Sequence, residues 1–322
     1  MVEIEQIDSF KIVKKLGQGS YGLVFEVLDA HDQPRALKLE TTPQKPSSQL
    51  RNEYEAYVDF SECKGIANIY AFGVYDNYFY LVMDLLGPSL QDKFEEQGKK
   101  FSSKTIYMIG ISILRLLETT QKCNRIFRDI KPENILIGRD SPEILYLTDL
   151  GMSVYFRDPL TKRHKPFSNN KSLTGTARYA SLNTHSGYEQ SRRDDLECLG
   201  YTLIYFFKAE LPWMGLREGN TRAKHKKIGD LKRKTQLEVL CDNIPAKKYL
   251  IKYMKYVRKL EFDEKPNYEY LISLFKSALK SINQKNDLAF DWIPREYREE
   301  VRRRQKSLWK KIKEKLSNIC LK

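Results

Sequence analysis

Four polar residues in the middle of the chain have the types and spacing that phosphoryl transfer requires. Asp129, Lys131 and Asn134 stand within six consecutive positions, and Asp149 follows fifteen positions later. Asp129 is spaced to orient an acceptor hydroxyl and to take its proton late in the transfer, while Lys131 would neutralise a γ-phosphate. Asn134 and Asp149 offer the oxygen ligands that Mg²⁺ prefers on a nucleotide. The set therefore predicts transfer of a phosphoryl group from a metal-bound nucleotide.

A glycine-rich run upstream of this set could close over the phosphates. It is GQGSYGLV at 17–24, and it lies between two predicted strands. Without Cβ atoms the glycine backbone can approach a triphosphate and point N–H groups at its oxygens. Lys38 follows on the next strand, an order that matches protein kinases, in which this lysine grips the α- and β-phosphates. We therefore expect nucleotide contacts from Leu16, Gly17, Gly19, Ser20, Gly22 and Val24.

A lysine buried beside phosphates needs a carboxylate to hold it. Glu53, on a helix predicted at about 50–60, is the preferred partner of Lys38, and Glu55 is its rival. The sequence register favours Glu53 without excluding Glu55.

The hydrophobic pattern in the first part of the chain indicates strands. Residues 10–40 alternate around glycines as consecutive antiparallel strands, and two further strands follow at about 69–75 and 78–84. The helix at about 50–60 interrupts them. We therefore expect a small, strand-rich lobe over residues 1–86.

After the Gly-Pro pair at 87 and 88 the pattern becomes mainly helical. Ser89 would cap a short helix, and 103–122 has the apolar spacing of a helix with one buried face. The segment 195–207 is apolar almost all round and predicts a central core helix. The predicted fold class is thus α+β with two lobes. The larger, helical lobe covers 87–292, and a cleft lies between it and the small lobe. Residues 293–322 form a tail.

The chain is strongly basic. Its formal net charge of +14 and pI near 9.3 favour a polyanionic partner such as nucleic acid, an acidic membrane, or an acidic or phosphorylated protein. A merely soluble basic surface is the alternative. The five cysteines are scattered, with no Cys-x-x-Cys pair, which indicates reduced thiols in a cytoplasmic or nuclear protein.

Half of the excess charge lies in the tail. Residues 295–322 hold eleven Lys and Arg against four Glu, and apolar residues recur among them at helical spacing. This predicts a basic amphipathic helix. The helix could dock on its own domain, bind an anionic membrane or bind a partner protein. The first alternative is about as well supported as the other two combined.

Several longer motifs make a family resemblance specific. LTGTARYAS at 173–181 and GYEQSRRDDLE at 187–197 resemble the casein kinase 1 family of Ser/Thr protein kinases, supported by LLGPSL at 85–90, LPW at 211–213, EVLC at 238–241 and FDW at 290–292. The resemblance implies ATP and Mg²⁺ as cofactors and Met83 as the residue at the back of the adenine pocket. It also implies that Asp84 and Leu86 belong to the hinge, that Ala36 and Leu136 enclose the base, and that Asp195 braces the catalytic loop.

The resemblance further implies an anion site beside the peptide-binding region, at Arg178 and Lys224. Members of the family prefer a serine or threonine downstream of a phosphorylated or acidic residue, and an Arg–Lys pair suits a phosphate dianion. The cluster RAKHKK at 222–227 would enlarge that site, although it could also be a nuclear localisation signal or a solvated face. We expect acidic or phospho-primed protein substrates, no specific nucleic acid, and a monomer.

Two positions depart from the usual kinase pattern. Phe127 stands where most protein kinases have His, and Leu150 where most have Phe. Neither position contacts phosphate, metal or acceptor, so we expect an active enzyme. A scaffold that uses the fold for docking is the alternative.

Overall fold

The structure, a computed structural model, describes residues 5–19, 22–41, 48–294, 296, 297, 299 and 303. Most of the predicted basic tail, as well as Ser20, therefore lies outside the described residues. Among the residues within them, no helix combines the length and apolar character needed to cross a bilayer.

The small lobe is one antiparallel sheet with a single helix packed on it. Its strands run in the order β1-β2-β3-β4-β6-β5. Their bounds are β1 Gln6–Ile7, β2 Phe10–Gly19, β3 Gly22–Leu28, β4 Pro34–Thr41, β5 Ile69–Tyr75 and β6 Tyr78–Asp84. Helix α1 spans Gln49–Asp59 and begins where the Ser48 side chain accepts the Arg51 N–H, a typical N-cap. Because β4 and α1 are neighbours, each can present a charged residue to the other.

The large lobe is mainly helical. Its helices are α2 Leu90–Glu96, α3 Ser103–Lys122, α4 Leu182–His185, α5 Arg192–Lys208, α6 Thr221–Lys234, α7 Leu237–Leu240, α8 Lys247–Lys259 and α9 Tyr268–Ser281. Four short strands, β7 Arg125–Ile126, β8 Ile135–Ile137, β9 Leu145–Leu147 and β10 Val154–Tyr155, form two antiparallel pairs, β7 with β10 and β8 with β9. These pairs carry the loops that hold the predicted catalytic residues.

Helix α5 is the centre of the large lobe, and nearly all of its residues are buried. It begins at Arg192, three residues earlier than the apolar run suggested, because the Asp194 side chain caps its first turn. The Asp194 carboxylate accepts the Ser191 N–H at 2.7 Å, so polar residues start the helix before its apolar stretch.

The two-lobed α+β fold predicted from the sequence is confirmed. Strands β5 and β6 and helix α3 have the predicted bounds. The start of the tail lies near the β8–β9 loop, where the Tyr297 hydroxyl donates to the Glu143 carboxylate at 3.0 Å.

Candidate active site

The predicted lysine–carboxylate pair is present, and a second carboxylate joins it. Lys38 Nζ lies 2.6 Å from Glu53 Oε2 and 2.8 Å from Asp149 Oδ1. These two ion pairs connect β4 to α1 and to the loop after β9. We call these three residues the nucleotide site. Burial alone would lower the pKa of Lys38, but the two carboxylates outweigh it and raise that pKa, so the lysine stays charged. Glu55, the rival, instead lies 4.0 Å from Arg125 and is exposed.

Helix α1 is held against the large lobe by side chains that the sequence did not single out. The Asn52 amide donates to the carbonyl oxygens of Gly151 and Ser153, at 2.8 and 3.0 Å. At the last residue of the helix, Asp59 Oδ2 accepts from Arg125 Nε and from the Tyr155 hydroxyl. These contacts anchor the helix that carries Glu53 at two points.

Asp129 is oriented by three donors, of which the Asn134 amide is the most distant, at 3.3 Å from Oδ2. Asp129 Oδ1 accepts the Thr176 N–H at 2.8 Å, and its Oδ2 lies 2.6 Å from Lys131 Nζ. A Cβ on Gly175 would lie only 2.3 Å from the Arg128 carbonyl oxygen, so a glycine is needed for this segment to approach the catalytic loop.

The side chain of Asp195 holds the backbone of the catalytic loop by hydrogen bonds. Asp195 accepts the N–H groups of Phe127 and Arg128 at 2.9 and 2.8 Å. Arg128 has a φ of 70°, a left-handed conformation that costs free energy for a residue with a side chain. Burial raises the pKa of Asp195 to about 7, while the two N–H donors favour its ionised form.

The residues present fit a magnesium ion and a nucleotide. The Asn134 amide nitrogen donates to the Asp129 backbone oxygen at 3.0 Å, so its Oδ1 is the atom left to ligate a cation. Lys38 contacts only Oδ1 of Asp149, which leaves Oδ2 for the same purpose. Asp149 is a quarter exposed and takes the left-handed conformation, with φ of 59°.

The described glycines of the glycine-rich run lie on two paired strands. Gly19 and Gly22 pair across β2 and β3, while a Cβ on Gly22 would lie 1.8 Å from the Leu39 carbonyl oxygen. A Cβ on Gly17 would meet no atom within 4 Å, so the backbone at Gly17 borders open space. Leu16 is exposed and Val24 half-buried.

The predicted adenine pocket lies where the lobes join. Ala36 pairs with the buried Met83 across β4 and β6, and Leu136 lies half-buried on β8 of the other lobe. The Asp84 carboxylate turns away to accept from Asn68 and from the Tyr70 hydroxyl at 2.6 Å. The predicted contacts of Asp84 and Leu86 with the base would therefore involve backbone N–H and C=O groups.

Arg178 and Lys224, which we call the basic face, lie on elements that pack on each other. Lys232 of α6 is fully buried and donates to the carbonyl oxygens of Ala177 and Ala180, so α6 is bonded to the segment that carries Arg178. Lys227 pairs with Glu218 at 2.5 Å, but in the described part of the chain no carboxylate forms an ion pair with Arg178 or Lys224. The charge of the basic face is thus available to an anion.

Comparison with known proteins agrees with this geometry. Residues 10–285 match the model of the protein kinase domain. The chain is 45% identical over 289 residues to casein kinase I homolog 2 of Schizosaccharomyces pombe, and 43% identical over 287 residues to casein kinase I homolog 1 of the same yeast. It is 43% identical over 289 residues to casein kinase I homolog 1 of Saccharomyces cerevisiae.

The chain belongs to the casein kinase 1 family of protein kinases. The matches cover 88% of the chain in each case, but only 66%, 64% and 53% of the three yeast proteins. The chain thus spans less than two thirds of the length of these curated relatives.

The departures at Phe127 and Leu150 affect packing in this casein kinase 1 family member. Phe127 is buried and stacks on Phe60, with ring centroids 5.8 Å apart, and Leu150 is fully buried. Next to Phe127, Arg128 Nε donates to the Met152 carbonyl oxygen at 2.6 Å, which supplies a side-chain donor to the segment that follows Asp149.

Sequence reasoning missed Asn52, the Asp59–Arg125–Tyr155 cluster and Lys232. Each acts through contacts with residues that are far away in sequence, so no local motif indicates it. The sequence shows a run of cations around Lys232, but it does not indicate which of their side chains is buried.

Proposed function

We propose that the chain is an active serine/threonine kinase that transfers the γ-phosphate of ATP to protein substrates. The carrying observation is that Lys38 already lies within 2.8 Å of both Glu53 and Asp149. In the kinase mechanism, the lysine–glutamate pair and the metal-binding aspartate must be in place together. Here the anchoring of α1 by Asn52 and Asp59 supports that arrangement with unmodified side chains.

The catalytic loop supports a division of labour between its two charged residues. Asp129 is fixed by the Thr176 N–H, so its carboxylate can orient the acceptor hydroxyl and receive its proton. Lys131, which contacts the other oxygen, is placed to stabilise negative charge on the transferred group. Mg²⁺ held by Asn134 and Asp149 would neutralise charge on the leaving phosphates.

The proposed substrates are acidic or phospho-primed proteins. The basic face supports this, because no carboxylate among the described residues pairs with Arg178 or Lys224, while Lys227 nearby pairs with Glu218. The main chain at Arg178 is also fixed, since its carbonyl oxygen accepts from Trp213 Nε1 at 2.8 Å. A planar guanidinium on a fixed segment loses little entropy when it binds a phosphate.

The proposal is tested by nucleotide binding and turnover measured together. Mg-ATP should raise the melting temperature of the wild-type chain, and the chain should phosphorylate casein or a casein-derived peptide. Asp149→Asn is the matched control, because Asn also tolerates the left-handed conformation at this position. Transfer by the wild type no greater than by this variant, without stabilisation by Mg-ATP, would favour a scaffold.

A further inference from the structure

Two cysteines that play no part in phosphoryl transfer meet where the two lobes join. Cys63 lies in the loop between α1 and β5, and Cys123 follows the last residue of α3. Their sulfur atoms are 3.8 Å apart although 60 positions separate them in the chain. Neither residue contacts the nucleotide site or the basic face, so their proximity calls for a separate explanation.

The geometry is close to that of a disulfide. A disulfide bond is about 2.05 Å long, so the sulfurs need to approach by less than about 2 Å. Rotation of two side chains about their Cα–Cβ bonds moves sulfur atoms by such an amount. Among the described cysteines, Cys198 and Cys241 are buried without a second thiol in contact, so this is the pair that can react without unfolding.

We propose that Cys63 and Cys123 form a redox-active dithiol that a hydroperoxide converts into a disulfide. In the first step the Cys123 sulfur attacks the O–O bond, which gives a sulfenic acid and releases an alcohol, or water from hydrogen peroxide. In the second step the Cys63 sulfur displaces the sulfenic oxygen as water and forms the S–S bond. The two thiols together lose two electrons and two protons, and the hydroperoxide accepts both.

The environments of the two thiols set the order of these steps. Cys123 is half-buried and reachable, whereas Cys63 is only 6% exposed. Burial and the neighbouring thiol raise the pKa of Cys63 to about 12, so this thiol reacts slowly with oxidant in solution and depends on its proximity to Cys123 for the second step. Cys123 is therefore oxidised first, and Cys63 resolves the sulfenic acid from 3.8 Å away.

The disulfide would reinforce contacts that already exist. Just before Cys63, Asp59 and Phe60 contact Arg125 and Phe127, which follow Cys123. A covalent bond here therefore joins elements that are already packed together and leaves Glu53 in place. Because it would also close a loop of about 60 residues, the cross-link should stabilise the fold.

The test is peroxide treatment of the folded, full-length protein, followed by blocking of free thiols and mass spectrometry of the peptides. The expected product is a Cys63–Cys123 linked peptide that forms more than tenfold faster than any other cysteine pair. The oxidised wild type should melt roughly 5 °C higher than the reduced protein and keep at least half of its kinase activity. Reduction by dithiothreitol should reverse both changes.

Three variants serve as controls. Cys63→Ala should abolish the link and leave a sulfenic acid on Cys123 that dimedone traps, and Cys123→Ser should abolish both products. Cys320→Ser removes a cysteine outside the described residues and should change neither. Oxidation confined to Cys320, a mixture of pairs, or a linked protein that melts no higher than the reduced one would overturn the proposal.

Discussion

The nucleotide site and the basic face arrange their charges in opposite ways. In the nucleotide site the one cation, Lys38, has two carboxylate partners within 2.8 Å. On the basic face, Arg178 and Lys224 have no carboxylate partner among the described residues, although Lys227 nearby has one. The charges of the nucleotide site are thus paired within the protein, whereas those of the basic face are available to a bound anion.

This difference has consequences for what each region tolerates. Breaking a buried pair leaves an uncompensated charge and is costly, so changes in the nucleotide site should affect all substrates alike. Lys224 is exposed, and Arg178, although half-buried, forms no ion pair among the described residues. Changes in the basic face should therefore leave the fold intact and alter substrate choice.

The largest expected effect is that of Asp149→Asn. The substitution removes a charge that contacts Lys38 and that would ligate the metal, so kcat should fall about 10²- to 10³-fold or more for every substrate. Far-UV circular dichroism should be unchanged. A loss confined to phospho-primed peptides would contradict the separation of the two regions.

Glu53→Gln should have the next largest effect. The neutral amide can still accept a hydrogen bond from Lys38 but no longer compensates its buried charge, so kcat should fall roughly 10-fold to 100-fold. Glu55→Gln is the matched control on the same helix, because Glu55 is exposed and 4.0 Å from Arg125. Equal losses in the two variants would show that the pairing with Lys38 does not matter for turnover.

Removing the basic face should change substrate choice. The double variant Arg178→Ala/Lys224→Ala should reduce kcat/KM for a phospho-primed peptide about tenfold, because charge-assisted hydrogen bonds to the phosphate are lost. The unprimed peptide should change less than twofold. Lys234→Ala, on an exposed position of the same helix outside 222–227, is the control, and an equal fall with both peptides would refute selective recognition of the phosphate.

The smallest expected effect concerns Lys232, which bonds α6 to the segment that carries Arg178. Burial lowers the pKa of Lys232 to about 7, from 10.5 in the unfolded chain. Between these values the unfolded chain binds a proton that the folded one does not, so stability rises with pH, by at most about 1.4 kcal/mol per pH unit.

Urea unfolding of the wild type and of Lys232→Met at pH 7 and pH 9 checks this effect. The wild type should gain stability relative to the variant as the pH rises. The variant should be less stable at both pH values, because the oxygens of Ala177 and Ala180 lose their donor. An identical pH dependence in the two proteins would exclude a depressed pKa of Lys232 in the folded protein.

The sequence predicted the nucleotide site better than the basic face for a physical reason. Lys38, Asp129, Asn134 and Asp149 lie in short sequence runs of characteristic spacing, so the sequence alone indicates them. The choice of Glu53 over Glu55 followed from helix register, and Glu53 indeed contacts Lys38. Their catalytic roles stay predictions until they are measured.

The supporting residues could not be predicted in this way. Asn52 contacts residues about 100 positions away, and Cys63 meets Cys123 across 60. Lys232 resembles its neighbouring cations in sequence, and only the packing of α6 makes it buried. Such contacts depend on tertiary structure, which leaves no periodic signal in the chain.

The most direct test of the central claim is transfer of radiolabelled phosphate from Mg-ATP to two matched peptides, one phospho-primed and one not. The wild-type chain should label both, with a higher kcat/KM for the primed peptide, and Asp149→Asn should label neither above background. Wild-type labelling no greater than that of Asp149→Asn would contradict the assignment of kinase activity, and equal kcat/KM for the two peptides would contradict the role of the basic face.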